Sequence, residues 1–214
     1  MRTPEPPLAA PAPAAAGTRA RLLGSALLLF RRHGYHGVGL AEILSRAGVP
    51  KGSLYHHFPG GKEQIAVEVI EQVAAGAVAL IEQAAVQDGP ALMRAVGREI
   101  ARWMAHTGSG ACAVLASFAA EGDTAGALRD AVAAAYERIA GALAARLARW
   151  GWPRPAALQR AYIAIALLEG GGLVGQAMRQ SALFDAAILQ AASLFDHPPA
   201  TKRTTPRASP RSSR

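Results

Sequence analysis

The sequence predicts an all-α protein of about nine helices, three short ones at the front and longer ones behind. Three observations carry this. Hydrophobic residues make up 51% of the 214 residues but aromatics only 6%, and much of the rest is alanine, the best helix former. The β-branched runs bounded by turn signals that would argue for strands are missing. Apolar residues instead recur three and four apart, in stretches separated by Gly, Pro and Asp breaks.

Residues 1–17 are Pro/Ala-rich and low in complexity, which predicts a disordered arm. Thr18 is the candidate N-cap of a first helix running to about His33. Leu22, Leu23, Ala26, Leu27 and Phe30 share one face of it, and Gly34 ends it. A second, short helix spans about Leu40 to Ala47, capped by Gly39, with Leu40, Ile43 and Leu44 inward. A third covers Lys51 to Phe58, anchored by Leu54 and Phe58, four apart. Pro59, Gly60 and Gly61 break the chain. A long helix starts near Lys62 and Glu63, where a carboxylate suits the helix dipole, and runs to about Val86. Asp88, Gly89 and Pro90 form a turn. Further helices are predicted over about Ala91 to His106, Ala111 to Ala120, Thr124 to Trp150, Arg154 to Arg179 and Ala182 to Phe195. Residues 198–214 are predicted to form a disordered basic tail. The resulting division is an arm over 1–17, a three-helix domain over 18–63, a helical body over 64–197 and a tail over 198–214.

The formal charge of +8 is unevenly spread. Residues 1–62 hold eight Lys/Arg against two Asp/Glu, residues 63–197 ten against thirteen, and residues 198–214 five against none. A basic front on a mildly acidic body suits a front that meets a polyanion, although basic residues also serve solubility alone. The lone cysteine, Cys112, excludes an intrachain disulfide and a cysteine-based zinc site, and fits a reducing cytoplasm. The N-terminus lacks the continuous apolar core of a signal peptide. The most apolar stretch, 161–175, is interrupted by Glu169 and four glycines and is shorter than a membrane span.

Residues 47–63 carry most of the functional information. Gly48 can take the positive φ that ends one helix, and Pro50 can enter the next, where its missing N–H is no loss. The short helix that follows crowds Lys51, Ser53, Tyr55, His56 and His57 into seven residues, with Gly52 among them. Such a helix is marginal alone and suits a reader of nucleic acid better than a core element. Lys51 can reach a guanine edge or a phosphate, Ser53 a base edge, and Tyr55 and His57 phosphates. Lys62, at a helix start, suits a phosphate, as do Thr18 and Arg19 at the first helix.

Leu29-Phe30, Gly34-Tyr35, the Gly39–Ile43 run and the continuous Ala47–Glu63 string together resemble the TetR family of bacterial transcriptional repressors. Within that family the subgroup typified by the lincomycin-resistance and flavonoid-responsive regulators LmrA and YxaF is most similar. Gly110–Val114 is similar to the Gly-Cys-Pro element of the subgroup, with Ala113 in place of proline. The resemblance is strong over residues 18–65 and diffuse over 66–197. It implies an N-terminal helix-turn-helix domain with a C-terminal helical ligand-binding and dimerisation domain. It further implies a homodimer on double-stranded operator DNA, released by a small hydrophobic effector, controlling an efflux or detoxification gene. Where many relatives carry Ser or Thr before the second helix, this chain has Val38-Gly39, so the phosphate contact there falls to a backbone N–H.

In the body, the sparse large side chains Trp103, Met104, Leu115, Phe118 and Tyr136, with Cys112, either line an apolar ligand cavity or form ordinary core. Glu169, alone in an apolar helix, is a candidate for a ligand cation or for a partner's arginine. The resemblance places the last two long helices in a four-helix dimer interface, where Tyr162, Ala166, Gly171, Gly172, Gly175 and Leu189 are candidates. The run from Gly170 to Gly175 formally fits a dinucleotide fingerprint, but no strand surrounds it. Adjacent His56 and His57 point about 100° apart and are poorly placed to chelate one ion. No catalytic constellation, metal site or cofactor is expected. The rival is a basic, non-specific nucleic-acid-binding or scaffold protein acting through its tail.

Overall fold

The computed structural model describes residues 17–107, 114–120 and 126–198, all helix and connecting turns. The elements are α1 (Thr18–His33), α2 (Leu40–Ala47), α3 (Lys51–His57), α4 (Gly61–Gln83), α5 (Gly89–Thr107), α6 (Val114–Ala120), α7 (Gly126–Ala148), α8 (Arg154–Met178) and α9 (Ala182–Ser193). The predicted arm, the Gly110–Ala113 element with Cys112, the Thr124 cap and nearly all of the basic tail lie outside the described residues.

Most boundaries fall within two or three residues of the sequence reading, and the differences have local causes. Thr18 is the first helical residue; Gly17 occupies the cap, with no side-chain hydrogen bond there. Pro50 caps α3 instead of entering it. α5 starts two residues early because the Asp88 carboxylate accepts the Ala91 N–H at 2.7 Å, which makes Asp88 a cap as well as a turn residue. α4 stops at Gln83, short of Val86, where Arg146 of α7 closes it. One Arg146 amino group donates to the carbonyls of Ile81 (3.0 Å) and Glu82 (2.7 Å), and the other to Ala84 (2.9 Å). A cation set on carbonyls at a helix C-terminus, those of Ile81 and Glu82 lacking an intrahelical partner, is stabilising twice over. It accounts for an arginine only 8% exposed.

Two apolar clusters run through the described residues. The first joins Leu22, Leu27 and Phe30 of α1, Ile43 of α2 and Leu54 of α3 to Ile65 and Val69 of α4. It continues without interruption to Trp103 of α5, Phe118 of α6 and Leu128 of α7. The second gathers the far ends of α4, α5 and α7 against α8 and α9, around Leu92, Leu143, Phe184 and Phe195. Met104 and Ile139 pack against both.

α4 and α8 are each long and apolar enough to span a bilayer by length and composition, so the sequence estimate of 161–175 understated α8. Packing explains the composition of α4, whose Ile65, Val69, Ile70 and Ile81 are all buried. On α8 the alternating burial of Ala161, Ala164, Leu168, Gly172 and Gly175 leaves a second apolar face open.

Candidate nucleic-acid interface

α2 and α3 are locked to α1 by a device that sequence reading missed. Gly48 ends α2 in the left-handed conformation (φ 60, ψ 41) and its N–H closes on Leu44 and Ser45. The Arg21 guanidinium then donates to the carbonyls of Ala47 (3.0 Å) and Gly48 (2.6 Å). The turn is thereby fixed from α1 by charge-assisted bonds. Leu54 and Phe58 are fully buried beneath α3. The opposite surface of α3 presents Lys51, Gly52, Tyr55 and His56 to solvent, with Ser53 and His57 half-buried at its edges. Tyr55 is 49% exposed, too open to serve mainly as packing. A Cβ at Gly52 would meet nothing within 4 Å, so that position is open to close approach. The rings of His56 and His57 stand edge to face, 5.1 Å apart.

The flanking residues are held more tightly than their sequence suggested. Arg19 is ion-paired with Glu68 of α4, and its guanidinium lies over the Phe58 ring at 5.3 Å. Glu68 in turn accepts from Gln64 at 3.1 Å, and Gln64 accepts the Gly60 N–H at 2.9 Å. One polar chain therefore joins the start of α4 to the start of α1. A phosphate at Arg19 has to compete with Glu68. The Lys62 ammonium stands 4.2 Å from the centre of the Tyr35 ring. Gly39 caps α2 with open space around its Cα, leaving the helix N-terminus accessible. Thr18 is half-buried.

Aromatic and cation contacts also tie this head to the body. Phe118 of α6 meets Phe30 of α1 edge to face at 5.5 Å, and Tyr35 packs at 6.1 Å from the same ring. Arg31 stacks over Trp103 of α5 at 4.1 Å; burial, with Arg32 beside it, pushes its guanidinium down to about 10.

The candidate ligand residues separate into three groups. Trp103, Leu115 and Phe118 are buried in the first apolar cluster as packing. Met104 lines an open cleft of about 600 Å³ bounded by α1, α5, α8 and α9. Tyr136 donates its hydroxyl to Glu169 at 3.3 Å, while the other Glu169 oxygen, Oε2, is buried with no hydrogen-bond partner. Burial pushes the Glu169 carboxyl up to about 8, against the opposing effect of the Tyr136 bond.

The dimer candidates also divide. Tyr162, Ala166 and Leu189 are exposed, and Ile163, Leu173, Val174 and Met178 extend the exposed apolar face. Gly171, Gly172 and Gly175 require correction, because they turn inward. A Cβ on Gly171 would lie 2.4 Å from that of Ala187, one on Gly175 would lie 3.0 Å from the Gln180 carbonyl, and Gly172 is buried. Gly171 and Gly175 let α9 of the same chain approach α8. The sequence registered their smallness and not the direction they face.

The chain matches the family model for bacterial regulatory proteins of the tetR family over residues 22–69. Residues 90–190 match the model for the C-terminal domain of LmrA/YxaF-like transcriptional regulators. It is 31% identical over 169 residues to an HTH-type transcriptional regulator of Mycobacterium tuberculosis, covering 76% of this chain and 86% of that one. It is 50% identical over 56 residues to the HTH-type transcriptional regulator LmrA of Bacillus subtilis, a match spanning 26% of this chain and only 30% of LmrA. Among solved structures, a TetR transcriptional regulator from Legionella pneumophila superposes with a TM-score of 0.76 at 19% identity, covering 85% of this chain and 99% of that one. Reduced Escherichia coli NemR gives 0.71 at 23% identity, with 86% and 99% covered. Both establish the fold.

Proposed function

The chain belongs to the TetR family of bacterial transcriptional regulators, with an LmrA/YxaF-like C-terminal domain, and from that premise we propose that it is a homodimeric repressor that reads double-stranded operator DNA with α3. The observation that carries the reading is the division of α3 itself. Leu54 and Phe58 are fully buried, and the side that bears Lys51, Tyr55 and His56 is exposed beside a turn pinned by Arg21. In this reading Lys51, Gly52, Ser53, Tyr55, His56 and His57 enter the major groove. The Gly39 helix start, Thr18, Arg19 and Lys62 hold phosphates.

Residues 18–63 act as the DNA-binding unit and residues 64–197 as the ligand-binding and dimerisation unit. The exposed face of Tyr162, Ile163, Leu173, Val174 and Leu189 supports pairing of α8 and α9 with a second copy. Two-fold pairing sets the two α3 helices in successive major grooves, about 34 Å apart or a multiple of that, on a pseudo-palindrome. A small hydrophobic effector binding the body releases the DNA. The Phe30–Phe118 and Arg31–Trp103 contacts give body rearrangements a route to the head. The effector must bind the two head arrangements unequally, by roughly 1–3 kcal/mol in typical couplings. The regulated gene is one for efflux or detoxification, and the site of action is the cytoplasm.

The test is a gel shift on the gene's own upstream region. Lys51→Ala and Tyr55→Ala should abolish the specific shift, whereas deleting residues 198–214 should lower only the salt-sensitive, non-specific affinity. No shift with any native promoter fragment overturns the reading. Loss of the shift on removing the tail, with both α3 variants still binding, favours the basic scaffold instead. Sedimentation of a Leu173→Glu variant should report a monomer where the parent chain is a dimer.

A further inference from the structure

We propose that the cleft between α1, α5, α8 and α9 is a binding site for an amphipathic organic anion, a carboxylate or sulfonate on an apolar ring body, with Arg32 and Arg179 as its charge receptors. The open cleft offers about 600 Å³, within the range of small-molecule sites. Its floor is apolar: Met104 of α5 and Phe184 of α9, with Gly172 and Gly175 holding the α8 wall thin. Two cations from distant parts of the chain border it, Arg32 from the last turn of α1 and Arg179 from the end of α8. Among the described residues neither guanidinium has an ion pair or a hydrogen bond, so both have donors to offer. The Arg179 backbone is left-handed (φ 56, ψ 37), the one non-glycine residue with positive φ among those described. Holding an arginine there costs about 1 kcal/mol or more. Planar guanidinium groups suit forked acceptors such as carboxylate and sulfonate.

The cleft is distinct from the face assigned to the second copy. Its α8 residues, Gly172, Gly175 and Arg179, follow one helical stripe, and Ala166, Leu173 and Val174 lie on nearly the opposite side of the helix. Dimerisation through the latter leaves the α8 wall of the cleft uncovered, while on α9 Asp185 lies one turn from Leu189 of that face. Because Arg32 belongs to the head and Arg179 to the body, a bound anion links the two. The effect of that link on DNA rests on the regulator reading above; the binding itself does not.

The experiment titrates the full chain with the anionic fluorophore anilinonaphthalene sulfonate and, in parallel, with N-phenylnaphthylamine, which has the same ring body without the charge. The Arg32→Gln/Arg179→Asn double variant should weaken the anion about tenfold, with asparagine chosen because it tolerates the left-handed backbone. Binding of the uncharged probe should change less than about twofold. Asp185, the one carboxylate bordering the cleft among the described residues, opposes the anion, so Asp185→Asn should tighten it a few-fold (roughly two to five). That gain of affinity is not an outcome that damage to the fold would give. Unchanged anion binding in the double variant, or parallel loss of both probes, overturns the proposal. No DNA is present, so failure here leaves the operator reading standing, and a failed gel shift leaves this site standing.

Discussion

Replacing Glu169 by glutamine should stabilise the protein at neutral and alkaline pH and change it by about 1 kcal/mol or less at pH 5. The carboxyl is held by one hydrogen bond from Tyr136 at 3.3 Å, and its buried Oε2 accepts none. Burial pushes it up to about 8 from an ordinary value of 4.5. A raised carboxyl means that the folded chain keeps its proton while the unfolded chain has lost it. Its contribution is full below pH 4.5 and is lost as pH rises through about 8. At about 1.4 kcal/mol per pH unit, roughly 3 kcal/mol is gone by pH 7 and roughly 5 kcal/mol beyond pH 8. Glutamine keeps the acceptor for Tyr136 and carries no proton to lose. Urea unfolding of parent and E169Q chains at pH 5, 7 and 8.5, at one protein concentration, reads the difference directly. The gap should widen with pH. An equal gap at all three values, or a variant weaker than its parent at pH 8.5, would refute the reasoning.

Other substitutions test the remaining assignments. Arg146→Met should cost about 3 kcal/mol or more in thermal or urea unfolding, because the carbonyls of Ile81, Glu82 and Ala84 lose a shared charged donor. Arg21→Ala should cost roughly 2 kcal/mol and weaken operator binding in gel shifts more than that loss of stability explains, since it frees the turn that aims α3. Gly171→Ala should lower the melting temperature by an overpacking cost of about 1–3 kcal/mol, because the new methyl would meet Ala187 of the same chain. A variant that keeps its stability and only dissociates into monomers would return that glycine to the interface between copies.

The helices were legible because this chain punctuates them with residues whose backbone preferences are strong. Gly34 and Gly48 adopt positive φ where the sequence placed helix ends, and Gly61 does so beside a predicted start. The α1 face of Leu22, Leu23, Ala26, Leu27 and Phe30 is buried as its spacing required. Less legible was anything joined across the chain. Arg21 reaches 26 residues to Ala47, Arg19 reaches 49 to Glu68, and Arg146 reaches 65 to Ile81. Locally, nothing separates Arg21 and Arg146 from solvated surface charges, and Arg19 reads as a phosphate contact. The local pattern holds no trace of the carbonyl or carboxylate that a distant turn delivers. The α8 glycines failed for a related reason: smallness is visible in the sequence, and the identity of the close neighbour is set by how α9 folds back.

The uninterrupted apolar cluster from α1 to α7 bears on how this regulator can be taken apart. A fragment ending near residue 63 would keep the whole of α3 but strip Ile65, Val69, Trp103 and Phe118 from the cluster that also holds Phe30. The head is therefore not a transplantable cassette. Grafted onto a foreign body, it would need a new aromatic partner at the position of Phe118 before it could hold its shape. Partial unfolding that frees α6 should also loosen the amides of α1, so hydrogen exchange in these two helices should rise together.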